Sequence, residues 1–338
     1  MTQVDTAETK GLTFGPEVLH LDAGTEIRRI TEALKDQILR RLRRRGVVLG
    51  VSGGIDSSVC LALCARAFEP ERVVALMMPE ADSDPESLRL GRLITDTFGV
   101  QNIVEDIAPA LKGAGCYARR NLFIRKVVPE FADDWKCKII LRQGGSQGYS
   151  VFTLVVQSPD GVQRTVRLPL EPYLGIVAAT SMKQRTRKQI EYYHADRLNY
   201  AVVGTPNRLE YDQGFFVKNG DGAADVKPIA HLYKTQVYQL AEALGVPEEI
   251  RRRPPTTDTY SLPQSQEEFY FALPYDRMDL CLWGVNHGIP SADVAIATGL
   301  SIGQVERAFE DIRSKRRATA YQHARPLLVE DVDEVVQA

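Results

Sequence analysis

Val47-Val48-Leu49-Gly50-Val51, followed at once by Ser52-Gly53-Gly54-Ile55-Asp56-Ser57-Ser58, is the stretch from which the fold is read. A short apolar run of this kind reads as a strand buried on both faces. The paired glycines break it, and 58–68 has helical character. The order then repeats. Residues 73–78 read as a strand, Asp84-Pro85 opens a helix reaching 98, and a weaker strand lies at 102–104. Asp84 suits an N-cap and Pro85 the first helical position. A long helix over about 173–196 leads into a further strand at 200–203. Such alternation predicts an α/β fold: a doubly wound, mostly parallel sheet with helices on both faces.

Working outward, Ile27, Ile30, Leu34, Ile38 and Leu42 recur at spacings of three and four, which predicts a helix over 24–45. Residues 1–23 read as a loose N-terminal arm, and 24–338 as a single domain. One segment departs from the α/β rhythm. Residues 137–141, 149–157 and 162–168 are strand-like, and Pro159-Asp160-Gly161 supplies turn chemistry. The segment 137–168 is therefore expected to be a β-hairpin insertion, whose pattern leaves open whether it covers the site, extends an oligomer interface or does neither. A helix over 234–244 is stopped by Gly245, 251–275 reads as an ordered loop, and 276–323 as a helical C-terminal region.

Composition narrows the function classes. Over 338 residues, 42 Lys and Arg meet 44 Asp and Glu, for a net charge of −2. Affinity for nucleic acid comes largely from surplus cations on phosphates, so no nucleic-acid partner is expected. The five cysteines are odd in number and none is spaced CxxC, which argues against a disulfide framework or a zinc ribbon. Cys60 and Cys64 read as small apolar core residues rather than a metal pair. No signal-peptide pattern opens the chain, and no apolar run approaches the ~18 residues of a membrane span. A cytoplasmic protein without a membrane partner is expected.

The loop at 52–58 carries the chemistry. Without Cβ atoms, Gly53 and Gly54 let backbone N–H groups converge on an anion, and the following helix adds its positive end. Ser52, Ser57 and Ser58 can donate to phosphate oxygens. Asp56 is out of place beside phosphate unless a cation stands between, which assigns it to Mg²⁺. No lysine follows the glycines and the Walker spacing is absent, so this is a different phosphate loop.

The segment resembles the pyrophosphatase loop of the ATP pyrophosphatases, whose fold is adenine nucleotide alpha hydrolase-like. Within that superfamily, GTPNRLEYDQGFFVKNGDGAADVKPIAHLYKTQV at 204–237 and PPTTD at 254–258 resemble the NAD synthetases. The resemblance covers most of 24–320 and misses the insertion. It implies that Gly50, Val51, Ser52, Gly53, Gly54, Ile55, Asp56 and Ser57 hold the ATP phosphates. Thr205 would lie beside the adenosine, with Lys234 and Thr256 at the phosphates. Asp56 and Glu210 would hold Mg²⁺, and Arg185, Lys218, Asp225 and Lys315 would contact deamido-NAD. Asp56 and Lys234 are the expected catalytic pair. Two positions depart from the family pattern: Ser181 stands where asparagine is usual and Ser314 where histidine is usual.

The activity implied is adenylation of the carboxylate of nicotinic acid adenine dinucleotide, then attack by ammonia to give NAD⁺, AMP and pyrophosphate. Another small carboxylate is the alternative acceptor. Forty-six residues precede the first strand, too few for a glutaminase domain, so free ammonia or a separate amidotransferase is the expected nitrogen source. Family resemblance also implies a homodimer. A tRNA-thiolating relative would be expected to show a catalytic cysteine pair, which is absent. The segment 293–317 resembles a helix-turn-helix, but Val294, Leu300, Val305, Phe309 and Ile312 fit ordinary helix-pair packing better than a DNA reader.

Overall fold

A computed structural model describes residues 14–143, 150–256, 259–264, 270–271, 273–330 and 332. Its central sheet has the order β3-β2-β1-β7 and is parallel throughout, with β1 Val47–Gly50, β2 Val73–Met77, β3 Gln101–Val104 and β7 Ala201–Val203. Val47, Val48 and Leu49 have no exposed surface. Burying a side chain of this size stabilises by roughly 1.5–3 kcal/mol, so the strand's apolar run is what fixes it at the centre. The chain leaves β1 toward β2 on one side and returns on the other as β7. The crevice at the carboxyl end of β1 is thus the switch point where such sheets bind ligands.

Helices α1 (Ala23–Lys35), α2 (Ile55–Ala67), α3 (Pro85–Phe98) and α8 (Lys234–Leu244) form one layer, with α2 packed between α1, α3 and α8. Ten of the thirteen residues of α2 are buried, which is why it shows no polar face. Across the sheet lie α4 (Ala108–Gly113), α5 (Cys116–Arg125) and the 29-residue α6 (Leu170–Leu198). Asp84 caps α3 by accepting from the Glu86 N–H, and Pro85 opens it. The predicted α/β arrangement is the one found.

Three expectations need correction. The first helix ends at Lys35 and continues as a wider π-type turn over Asp36–Arg41, though Ile38 stays buried as its spacing required. The insertion is a three-stranded antiparallel meander, β4 Lys136–Gln143, β5 Ser150–Gln157 and β6 Gln163–Arg167. The turn at 158–161 joins its second and third strands, which is why one turn signal suggested a hairpin. The described part of the N-terminal arm is docked, not loose. Phe14 packs on Trp283 with ring centroids 5.5 Å apart, and Leu19 is buried. Gln239 of α8 grips the arm's backbone at Leu19 and Leu21.

The C-terminal helices α10 (Tyr275–His287), α11 (Ser291–Thr298) and α12 (Ile302–His323) build a second core. Val294, Leu300, Val305, Phe309 and Ile312 all point into it, as helix-pair packing requires. All five cysteines are buried and unpaired, spread over four separate apolar cores. Among the described residues, no helix is long and apolar enough to cross a membrane.

Candidate active site

A cavity of about 840 Å³ opens at the carboxyl end of β1. Gly50, Val51, Ser52, Gly54, Ile55, Asp56 and Ser57 line it, and Gly53 stands behind them. At φ +70° Gly53 has a backbone that L side chains rarely adopt. A Cβ there would also lie 2.7 Å from both the Ser87 carbonyl oxygen and the Leu90 Cβ of α3. The loop is laced by its own serines: Ser57 Oγ lies 3.2 Å from Ser52 Oγ and donates to the Gly54 carbonyl at 3.1 Å. Gly54 caps α2 without a side-chain acceptor, so the first N–H groups of the helix face the cavity. Ser58 does not join this wall; it is fully buried and its hydroxyl has no partner.

Asp56 is held from two sides. Its Oδ2 accepts from Lys234 Nζ, and its Oδ1 accepts from Asn207 Nδ2 at 3.1 Å. Lys234 is fully buried at the first position of α8. Burial opposes its charge, but the Asp56 and Glu210 carboxylates outweigh that and hold its pKa above the ordinary value. Asn207 also caps α7 (Arg208–Gln213). Its Oδ1 accepts from the Glu210 N–H at 3.2 Å, while Glu210 Oε2 accepts from the Asn207 N–H at 3.0 Å. One asparagine thus joins both carboxylates expected to take a metal. Sequence reading passed over Asn207, although Asn followed by Glu three residues later is a capping-box signal. Burial pushes the Asp279 carboxyl up to about 7, against backbone donation from Lys234 and Thr235 at 3.3 and 2.7 Å.

Thr205, Glu210 and Thr256 line the same cavity. Asp258, beside Thr256, lies outside the described residues.

The cavity runs along α6 from Glu191, beside Gly50, to its far part, with Lys188, Arg185, Ser181, Val177 and Tyr173 also on the wall. Arg185 and Lys218 are both on the wall, with Arg185 Nε donating to the Lys218 carbonyl at 3.2 Å. Lys218 Nζ itself donates to the carbonyls of Tyr321 and Ala324, both at 2.9 Å, so it pins the end of α12. Two expected substrate contacts stand elsewhere. Asp225 accepts from the Val202 N–H at 2.7 Å and the Tyr192 hydroxyl at 3.3 Å, which ties it to β7. Lys315 pairs with Asp311 at 2.7 Å and donates to the Tyr270 carbonyl at 2.6 Å. Neither lines the cavity. Asp221, four residues before Asp225, does, and burial raises its pKa.

The profile of the NAD synthase family matches residues 26–123 and 166–325. This chain belongs to that family. It is 62% identical over 325 residues to the NH(3)-dependent NAD(+) synthetase of Rhizobium meliloti (strain 1021), covering 96% of this chain and 97% of the relative. It is 60% identical over 318 residues to that of Mesorhizobium japonicum, covering 94% and 100%. Among solved structures, the NH3-dependent NAD synthetase of Campylobacter jejuni, in complex with nitrate, superposes with a TM-score of 0.60 at 20% identity, over 92% of this chain and 100% of the other. That identity speaks to the NAD synthase fold alone. The family match skips 124–165, which contains β4, β5, the turn after them and the start of β6.

Proposed function

We infer that the protein amidates nicotinic acid adenine dinucleotide to NAD⁺, using ATP and ammonia and releasing AMP and pyrophosphate. The observation that carries this reading is one cavity lined by the phosphate loop, Asp56, Arg185 and Lys218, with Lys234 buried behind Asp56. The relatives at 60–62% identity over nearly the whole chain support ammonia as donor and the dinucleotide as acceptor.

In this reading the acceptor carboxylate attacks the α-phosphorus and pyrophosphate departs with the bonding electrons. The N–H groups at the start of α2 and the hydroxyls of Ser52 and Ser57 take the phosphate oxygens. Lys234 keeps its proton and stands as a fixed cation behind them, so no reorganisation is needed as charge develops. Ammonia then adds to the carbonyl carbon of the acyl-adenylate, AMP leaves, and the new amide sheds a proton. No side-chain nucleophile takes part; the chain positions two substrates and balances charge.

Asp56 and Glu210 suit magnesium, which takes one or two protein carboxylates and completes its shell with water and substrate phosphate. Held there, the ion supplies charge neutralisation on the leaving pyrophosphate. Thr205 and Thr256 fit contacts to ATP, and Arg185 and Lys218 contacts to the dinucleotide. We further propose a cytoplasmic homodimer. Leu122 of α5 and Leu170 and Leu174 of α6 are each more than half exposed, and a second copy would cover them. Nitrogen comes as free ammonia or from a separate amidotransferase.

The test is product identification after incubation with ATP, Mg²⁺, ammonia and deamido-NAD. AMP, pyrophosphate and NAD⁺ are expected. ADP with phosphate would overturn the reading, and full turnover on glutamine alone would overturn the nitrogen source.

A further inference from the structure

Phe152 sits on β5, the middle strand of the inserted sheet, yet its ring reaches the wall of the catalytic cavity. It stacks on Tyr173 with centroids 4.0 Å apart and planes 18° from parallel. Both residues are half-buried, and both line the cavity. Tyr173 lies near the start of α6, and Glu191 near its end. A Cβ on Gly50, at the head of the phosphate loop, would sit 3.0 Å from Glu191 Oε1. Eighteen residues of helix separate Tyr173 from Glu191, about 27 Å along the axis. The aromatic pair is therefore remote from the place where a carboxylate must meet the α-phosphorus.

We propose that Phe152, backed by Tyr173, is the stacking platform for the adenine of the acceptor dinucleotide, and so a specificity residue contributed by the insertion. This rests on the acceptor reading above. Two rings flank the pyrophosphate of deamido-NAD, and the reacting carboxylate is on the pyridine. That ring must stay at the phosphate-loop end, which leaves the adenine for the far end. Ser181, Arg185 and Lys218 lie on the wall as polar groups for the sugars and phosphates between them. A flat aromatic face takes a purine by stacking without demanding hydrogen bonds. The β4–β5 pairing, in register from Lys136↔Gln157 to Gln143↔Ser150, holds Phe152 opposite Leu141, so the platform is carried on a rigid strand. The family match stops at 123 and resumes at 166, so the common part of the fold supplies Tyr173 but not its partner ring.

The test measures KM for deamido-NAD and for ATP separately in the full-length protein. Phe152→Leu keeps apolar volume and loses the ring. It is expected to raise KM for deamido-NAD about tenfold, the loss of one base stack, with KM for ATP unmoved. Phe152→Tyr should restore the wild-type value. Should Phe152→Leu lose its cooperative melt, Tyr173→Leu replaces it with the same expected split. An unchanged KM for deamido-NAD in a folded variant, or a rise in KM for ATP instead, would overturn the proposal. Failure of the wild-type protein to form NAD⁺ at all would instead overturn the acceptor reading.

Discussion

The two ends of the cavity are built differently. At the phosphate loop, a sheet strand and a helix start fix the backbone, and a buried lysine and an asparagine hold Asp56. Its side-chain donors are fixed in place: Lys234 Nζ is bound to Asp56, and Ser57 Oγ donates to the Gly54 carbonyl. At the far end the walls are α6, the 214–222 segment, the tail of α12 and a strand of the insertion. Its lysine, Lys218, is already bound to two carbonyls of α12. Charge stabilisation works best from groups that need not move, whereas recognition of a large flexible acceptor tolerates groups that change partners. In the proposed reading the first end is preorganised for triphosphate, and the second exchanges internal bonds for substrate.

Mutations can break or sharpen this contrast. The largest effect should come from Asp56→Asn. A kcat loss of about 10²–10³-fold is expected, on the scale of removing one preorganised charge contact. The melting temperature should fall as well, because the change leaves the fully buried Lys234 without its carboxylate partner. Wild-type turnover in this variant would remove Asp56 from the phosphate end. Lys234→Ala should cost about 3–5 kcal/mol of stability, since it leaves a half-buried carboxylate without its cation; denaturant unfolding measures this.

At the other end, Lys218→Ala should raise KM for deamido-NAD by about 10-fold or more, from the loss of a charge-assisted hydrogen bond, with KM for ATP constant. Lys315→Ala should do the reverse. It leaves both KM values alone and lowers stability by about 1 kcal/mol, because its bonds run to Tyr270 and Asp311. Equal KM effects for the two lysines would erase the distinction drawn between them.

The smallest effect concerns pH. Asp279 has a folded pKa of about 7 against an ordinary 3.8. Between those values the folded chain keeps a proton that the unfolded chain releases, so stability from this group falls as pH rises through that window. A plot of melting temperature against pH should therefore be flatter over pH 4–7 for Asp279→Asn. An identical slope in both proteins would show that Asp279 is ionised in the fold.

Sequence made the phosphate end legible because local patterns specify it. An apolar run, two glycines and a helix start dictate strand, turn and anion site without reference to distant parts. The sheet followed from the same logic at Val73–Met77 and Ala201–Val203. The far end depends on side-chain direction, which a single sequence encodes poorly. Asp221 and Asp225 both follow Lys218 within seven residues and both accept from backbone N–H groups, those of Val217 and Val202, and only the fold shows that Asp221 alone of the two also lines the cavity. Nothing in the strand pattern of 149–157 marks Phe152, rather than Val151 or Thr153, as the residue that meets Tyr173. The docking of Phe14 on Trp283 is likewise a contact between segments some 270 positions apart.

Each of the four larger apolar cores holds a cysteine sulfur shielded from solvent: Cys60 and Cys64 in α2, Cys281 in the C-terminal bundle, Cys137 in the meander and Cys116 at the start of α5. Alkylation by a small reagent can then proceed only as fast as the surrounding core opens. Peptide mapping of the labelled sites over time would rank the four regions by their opening frequency, and repeating it with nucleotide would show which of them the ligand quiets.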